Sequence, residues 1–192
     1  MKTEIQRLND FLKICPDMIR ENKPFIDYLT NEGFFNAPAS TKYHGNYPGG
    51  LYEHSLKVYD HLYNLTTNCG LCWMREESPF IVGFFHDLCK IDQYKEIIDV
   101  PGKVMFGNDE PEGQKQHYEY NTELMLSGHG DKSVMILSTF LQLTEEEMLC
   151  IRYHMGAYGK DDWAGYDMAI RKYPNVLFAH TADMLASKVD GT

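Results

Sequence analysis

Apolar residues along most of this chain recur every three or four positions, which is the spacing of one face of an α-helix. In residues 51–68, His54 shares the apolar face with Val58 and Leu62, so its ring is expected to point toward the core. Similar patterns predict helices over residues 4–15, 51–68, 78–90, 118–127, 133–141, 144–156, 163–173 and from 174 onward. The pattern therefore predicts an all-α fold.

Two stretches depart from the helical pattern. Residues 33–50 are rich in Gly, Pro, Ala, Ser, Asn and Tyr, which predicts a loop, and long loops in compact domains are often functional. Residues 94–106 are predicted to form a small β-hairpin, two short strands around the Pro101-Gly102 turn. We expect this hairpin to be a surface insertion, which either borders a substrate site or is a solvated flap.

Charge interrupts the apolar pattern most abruptly at the end of the run that begins at Phe80. This run ends in His86 and Asp87, and Lys90 follows three residues later. An unpaired carboxylate inside a buried helix is costly or must take up a proton. A metal cation would remove that cost. The alternative is a helix end at which His86 and Asp87 meet solvent.

Further histidines and one carboxylate also fall on apolar helix faces or at helix ends. These residues are His54, His129, His154 and Asp183. Each histidine alone is best explained as a hydrogen-bonded residue of the core or its boundary. Together with His86 and Asp87, however, they make four histidines and two carboxylates. Such a set suits two borderline divalent cations, with one aspartate able to bridge both.

The balance of charged residues bears on which class of ligand the protein binds. The 192 residues include 18 basic and 28 acidic side chains, which gives a formal net charge of -10. This charge disfavours the broad cationic surface with which proteins neutralise the phosphates of duplex nucleic acid. It does not exclude a small anionic ligand, because a bound cation outweighs distant surface charge.

The cysteines and the apolar runs indicate a cytoplasmic location. The five cysteines are odd in number and form no dense framework, which is typical of a reducing compartment. Cys69 and Cys72 make a single CxxC pair, which is weak evidence for zinc or redox chemistry. No apolar run approaches the roughly 20 residues of a membrane span, and no signal peptide is recognisable. We expect a soluble protein, whose oligomeric state the sequence does not indicate.

The order of the candidate residues, His, His-Asp, His, His and Asp, resembles the HD superfamily of metal-dependent phosphohydrolases, and its two-metal branch in particular. The resemblance covers roughly residues 44–188. It rests on the segments Gly50-Leu51-Tyr52-Glu53-His54-Ser55-Leu56, Phe85-His86-Asp87-Leu88-Cys89-Lys90-Ile91 and His180-Thr181-Ala182-Asp183-Met184-Leu185-Ala186. The two-metal branch is indicated by His129 and by Tyr153-His154-Met155-Gly156-Ala157-Tyr158-Gly159. The resemblance implies one HD-type helical domain over residues 1–192, with its core at 44–188 and a helical extension at 1–40.

The resemblance also implies roles, position by position. One divalent metal ion (Mn, Fe, Mg, Ni or Zn) would be held by His54, His86, Asp87 and Asp183. A second would be held by Asp87, His129 and His154. Asp87 and Lys90 would be catalytic, with Lys90 facing the phosphate as a point charge; otherwise Lys90 is an exposed lysine that stabilises a helix C-terminus. The residues expected to bind substrate are His44, Lys90, Arg152 and Lys160.

The expected activity is hydrolysis of a phosphoester in a nucleotide or another small phosphorylated molecule. The same ligand order also resembles the HD-fold mixed-valent di-iron oxygenases, and the identity of the metal would separate the two. A 3′–5′ exonuclease-like activity is less expected, because relatives of that kind carry a nucleic-acid-binding barrel for which this chain has no room. A non-catalytic nucleotide-binding module is least expected, because no ligand position is lost.

Overall fold

The computed structural model of the protein describes residues 2–42, 45–99, 115–124, 126, 128–157 and 162–191. Within these ranges the chain is mainly helical and contains one two-stranded antiparallel sheet, which confirms the mainly helical prediction. None of the helices in this part of the chain is long and apolar enough to cross a membrane. The α-helices are α1 (Glu4–Ile14), α2 (Asp17–Arg20), α3 (Lys23–Asn31), α4 (Gly50–Cys69), α5 (Ser78–Phe85), α6 (His129–Ser138), α7 (Glu145–Arg152), α8 (Trp163–Lys172) and α9 (Asn175–Leu185).

The sheet differs from the predicted hairpin. Strand β1 (Tyr94–Asp99) lies in the expected place, but its partner is β2 (Lys115–Tyr120), with Tyr94 opposite Tyr120. The helix predicted over 118–127 is therefore wrong for residues 118–124, which form the end of β2 and the turn after it. The aromatic pair explains the difference, since the two rings pack edge to face at 5.2 Å and such cross-strand contacts override a local helical pattern. The turn predicted at Pro101-Gly102 lies outside the described residues.

The helix predicted over 78–90 is divided. Helix α5 ends at Phe85, and a short 3₁₀ helix occupies Leu88–Ile91. The backbone N–H of Cys89 donates to the hydroxyl of Ser133 on α6, at 3.0 Å, instead of continuing the helical ladder. Asp87 therefore lies in the break between two helical pieces. The next helix also differs, because α6 begins at His129 and not at Ser133.

Helix α1 packs in the same apolar core as α4 and α5. The ring of Phe11 lies 5.5 Å from that of Phe35, 5.9 Å from Phe80 and 5.3 Å from Phe84. Nearby, the buried guanidinium of Arg7 donates to the carbonyl oxygens of Phe35 and Pro48. The N-terminal residues thus contribute to the core and hold the loop that precedes α4.

Two glycines allow the helices that carry the candidate residues to touch. A Cβ atom at Gly83 would lie 2.6 Å from the Cα of Tyr59, so α5 packs directly on the backbone of α4. A Cβ atom at Gly130 would overlap the carbonyl oxygen of Arg152, so the first turn of α6 abuts the end of α7. A side chain at either glycine would push its helix pair apart.

Candidate metal centre

The structure brings the six predicted metal ligands into one cluster around Asp87. The carboxylate of Asp87 is buried, with only 3 % of the residue exposed. The residues around it come from α4, the break after α5, the start of α6, the end of α7 and the last turns of α9. The cluster members are His54, His86, Asp87, His129, His154 and Asp183.

One oxygen of Asp87 faces the first pair of histidines. Its Oδ2 atom lies 3.6 Å from Nε2 of His54 and 3.4 Å from Nε2 of His86. Those two ring nitrogens are 3.2 Å apart. Asp183 completes this side, because its Oδ1 lies 3.2 Å from Nε2 of His54. Two nitrogens and two carboxylate oxygens therefore point at one small volume.

The other oxygen of Asp87 faces the second pair of histidines. Its Oδ1 atom lies 3.5 Å from Nδ1 of His129 and 3.4 Å from Nε2 of His154. The two oxygens of a single carboxylate are thus directed at different histidine pairs. This is the geometry in which one carboxylate can bridge two cations.

Backbone carbonyls set the orientation of two of the rings. His86 donates from Nδ1 to the carbonyl oxygen of Gly83 at 2.9 Å, and His154 donates from Nδ1 to that of Ile151 at 2.7 Å. Because a carbonyl oxygen only accepts, Nδ1 carries the hydrogen, and Nε2 of the neutral ring offers a lone pair to the cluster. A metal-binding histidine usually donates its other N–H in this way. His180 supports the arrangement by donating from Nδ1 to the carbonyl oxygen of His154 at 2.7 Å.

The donor set fits a metal ion. Oδ1 of Asp87 is buried and has no hydrogen-bond partner among the residues that the structure describes. An orphaned buried acceptor costs about 1–3 kcal/mol, and more when it is charged. The ligand atoms of His54, His86 and Asp87 all lie within 4.8 Å of one another. Imidazole and carboxylate donors at this spacing suit borderline divalent cations, so the buried cluster can bind metal ions.

Both carboxylates of the cluster are ionised at neutral pH. Burial alone would raise the pKa of Asp87, but the positive charge of Lys90, whose Nζ lies 2.7 Å from Oδ2, and the surrounding histidines together outweigh burial and hold that pKa well below its usual value. Burial also opposes ionisation of Asp183, but the hydrogen bond from His54 and the charges of His86 and His154 together outweigh burial and lower the pKa of Asp183 to about 2. Both side chains are therefore in the form that binds a cation.

The pKa values of Lys90 and His129 are raised by the same negative charge, that of Asp87. Burial lowers the pKa of Lys90, but the Asp87 carboxylate outweighs burial and raises this pKa above its usual value. Asp87, followed by Cys89, raises the pKa of His129 to about 10. A bound metal would replace such protons as the counter-charge of Asp87, since its own charge dominates a site of this kind.

A cavity of about 230 Å³ opens beside the cluster and is lined by most of its members. Lys90 lies in the wall, as the predicted phosphate contact should. The wall also includes Tyr94, Ser187 and Lys188, which sequence reasoning missed. One of them was detectable, because Ser187 follows Asp183 by four residues and so shares its helical face, whereas Lys188 at five residues does not. They lie in the π-helical turn Ala186–Asp190, directly after α9.

Of the other predicted substrate-binding residues, only Arg152 lies among those that the structure describes. His44 and Lys160 lie outside the described residues. Arg152 is exposed; its Nε lies 3.4 Å from Oδ1 of Asp131, and its guanidinium lies 5.3 Å from the ring centre of Tyr153. The cavity lining does not include it. The role of Arg152 in substrate binding stays a prediction.

Cavity size does not identify the site in this molecule. A larger cavity of about 760 Å³ lies between α1, α4 and residues 71–80. Its lining includes the aromatic rings of Tyr59, Tyr63 and Trp73 but no member of the cluster. The titratable and metal-binding groups gather instead at the smaller cavity.

Sequence reasoning also missed Cys89 as a candidate ligand. Of the described residues, the groups spaced to hold a metal include Cys89, together with Asp87 and His129, but neither Cys69 nor Cys72. The thiol of Cys89 is buried, whereas both residues of the CxxC pair are exposed. No local signal in the sequence indicated Cys89, because residues two apart in a helix, such as Asp87 and Cys89, do not face each other.

Comparisons of the chain with known protein families, with curated proteins and with solved structures find no match. The functional argument therefore rests on the geometry of the chain itself. That geometry is a helical protein with a buried histidine and aspartate cluster that can bind metal ions, which is compatible with an HD-like fold.

Proposed function

We propose that the protein is an HD-type, metal-dependent phosphohydrolase that acts on a nucleotide or another small phosphorylated molecule. One observation carries the proposal: the two oxygens of Asp87 face separate histidine pairs inside a buried cluster. A bridging carboxylate between two nitrogen-rich sites is the arrangement used by two-metal hydrolytic centres. The order of the ligands along the chain supports the same assignment.

In this proposal, each side of Asp87 holds one cation. His54, His86 and Asp183 join Asp87 on one side, and His129 and His154 join it on the other. When bound, two divalent cations supply Lewis acidity and make a water molecule more acidic. The protein contributes the fixed positions of the donors and the small cavity that limits access of solvent.

Side chains in the cavity wall are suited to hold a phosphate. Lys90 offers a partly buried positive charge, and Lys188 offers an exposed one from the π-helical turn. Burial, followed by the neighbouring Tyr120, raises the pKa of Tyr94, so its phenol keeps its proton and can donate a hydrogen bond to a substrate oxygen. These three groups would orient the phosphoryl group and offset its negative charge.

The substrate is expected to be small. The cavity of about 230 Å³ is below the usual size range of a site for a drug-sized ligand, roughly 300–1,000 Å³. The net charge of -10 also opposes binding of a long polyanion. A phosphomonoester or a mononucleotide is therefore a better candidate than a nucleic acid chain.

The test is metal analysis of protein purified without chelator, followed by a phosphate-release assay over nucleotides and simple phosphoesters. We expect divalent metal in the protein and phosphate release that chelator abolishes. The matched control is Asp167→Ala, since Asp167 is an exposed aspartate that pairs with Arg171 on α8, outside the cavity. Two bound irons with oxygen consumption and no phosphate release would replace the proposal with an oxygenase.

A further inference from the structure

We infer that Cys89 is a thiolate ligand of the cation on the His129 side of Asp87, and that it makes this side select Zn²⁺ or Fe²⁺ over Mg²⁺. The inference rests on the proposed metal-dependent function and deepens it. Cys89 is not one of the four histidines and two aspartates that the proposed function requires.

The position of the thiol is the first observation. Cys89 is 1 % exposed, and its Sγ lies 3.5 Å from Nδ1 of His129. The ligand atoms of Asp87, Cys89 and His129 all lie within 4.8 Å of one another. A thiolate, an imidazole and a carboxylate at this spacing can share one cation.

The unpartnered oxygen of Asp87 is the second and independent observation. Its Oδ1 is buried without a hydrogen-bond partner among the described residues, and it lies 3.5 Å from the same Nδ1 atom of His129 that the sulfur approaches. The carboxylate and the thiol therefore converge on one ring nitrogen. A cation between these three donors would satisfy all of them.

The backbone holds the thiol in this position. The N–H of Cys89 donates to the hydroxyl of Ser133, and Ser133 lies on α6, the helix that begins with His129. The same helix thus fixes the ring and the residue that carries the sulfur. The remaining contact of the thiol is a long one, 3.8 Å from Sγ to Oε1 of Gln93, and a metal–sulfur bond would easily replace it.

The sulfur changes which metal is preferred. Thiolate is a soft ligand that favours zinc and iron, whereas Mg²⁺ requires oxygen ligands. On binding, the thiol releases its proton to solvent. The Asp183 side of Asp87 has only nitrogen and oxygen donors in the cluster, so the two sides should differ in metal preference.

The experiment loads the full-length protein with Co²⁺ and records its near-ultraviolet absorption. The starting protein is the Cys69→Ser/Cys72→Ser variant, which removes the exposed thiols. We expect a thiolate-to-cobalt charge-transfer band, which Cys89→Ser abolishes and Cys150→Ser retains. We also expect Cys89→Ser to lower the preference for Zn²⁺ over Mn²⁺ by roughly tenfold or more, at least as much as loss of an outer-shell partner.

X-ray absorption of the zinc-loaded starting protein gives a reading that does not depend on folding of the Cys89 variant. A sulfur neighbour at about 2.3 Å is expected. Bound metal that Asp87→Ala removes, with neither a sulfur neighbour nor a charge-transfer band, would overturn the role of Cys89 and leave the proposed function standing. A chain that binds no metal at all would overturn both.

Discussion

The two sides of Asp87 are built differently. On one side, His54 lies within the long helix α4, and it is 1 % exposed, as is His86. On the other side, His129 is the first residue of α6, with 31 % of its side chain exposed, and His154 lies just beyond α7. Only the first side has a histidine inside a helix, His54, because His86 is the C-cap of α5. Only the second side has a partly exposed histidine, His129, because His154 is also 1 % exposed. We therefore expect the first side to be the more rigid and the second to be the easier to perturb.

The difference also has a chemical consequence. Asp183 adds a carboxylate to the buried side, and Cys89 lies beside the other. The buried side is therefore suited to a cation that accepts oxygen and nitrogen donors. The His129 side combines imidazole and carboxylate donors with a nearby thiol, and these donors are typical of a zinc or iron site. Asp87 couples the two sides, because each uses one of its oxygens.

Asp87→Ala should have the largest effect, because it removes the one residue that both sides share. We expect loss of bound metal and a decrease in the phosphate-release rate of roughly 1,000-fold or more, equivalent to about 4 kcal/mol of transition-state stabilisation. Metal content and turnover are measured on the same preparations. Asp167→Ala is the control and should keep both. Full metal content with full activity in Asp87→Ala would disprove the shared-ligand arrangement.

His54→Ala and His129→Ala should separate the two sides. We expect His129→Ala to keep the cation on the buried side and to lose the other, so that metal content falls by about half. His54→Ala should reduce metal content further, because Asp183 and His86 then lack their common neighbour. Metal content is measured after dialysis against the same buffer. Loss of nearly all metal in His129→Ala would show that the two sides do not bind independently.

Much of the helical framework was predictable because its signals are local. The capping box of α7, in which Thr144 accepts from the N–H of Glu147, can be seen in the sequence, as can the apolar face that carries His54. The six candidate ligands could also be chosen from sequence, since each is a polar residue at an apolar face or a helix end. Their convergence on Asp87 is the part that the structure adds.

The features that sequence reasoning missed depend on contacts between distant residues. The strand Lys115–Tyr120 is stabilised by pairing with β1, and the break after α5 by the Ser133 hydroxyl. Neither partner is near in the sequence. Cys89 was overlooked for the same reason, because its approach to His129 spans 40 residues. The local sequence pattern predicts most of the helices of this chain. It does not predict the long-range contacts that end a helix early or pair a strand.

Gly83→Ala and Gly130→Ala should test the rigidity of the two sides. An added methyl group at Gly83 meets the backbone of α4, so we expect a loss of about 1–3 kcal/mol in the free energy of unfolding. Both glycines lie in helices, so the gain of up to ~1 kcal/mol in helix propensity applies to both variants. At Gly130 the added Cβ atom would approach the carbonyl oxygen of Arg152 more closely than the 2.6 Å contact at Gly83, so the loss there should be at least as large. Denaturant unfolding measures both values.

Metal analysis completes this comparison. Gly130→Ala should lose the cation on the His129 side before the cation on the His54 side. The added methyl group would displace α6, which carries His129, relative to His154. If Gly130→Ala keeps full metal content, or if Gly83→Ala loses as much metal, the rigidity argument is wrong.

Lys188→Gln should have the smallest effect of these changes. Lys188 is exposed at the cavity wall, so its charge acts on the substrate through solvent, and an exposed ion pair contributes only about 0.2–1 kcal/mol. We therefore expect KM to rise about two- to fivefold with kcat nearly unchanged, and the rise to shrink at high salt. Lys172→Gln removes the same charge at a site where the lysine pairs with Glu145, and it should leave KM unchanged. An unchanged KM in Lys188→Gln would limit the phosphate contacts to Tyr94 and Lys90, whose Nζ lies 2.7 Å from Oδ2 of Asp87.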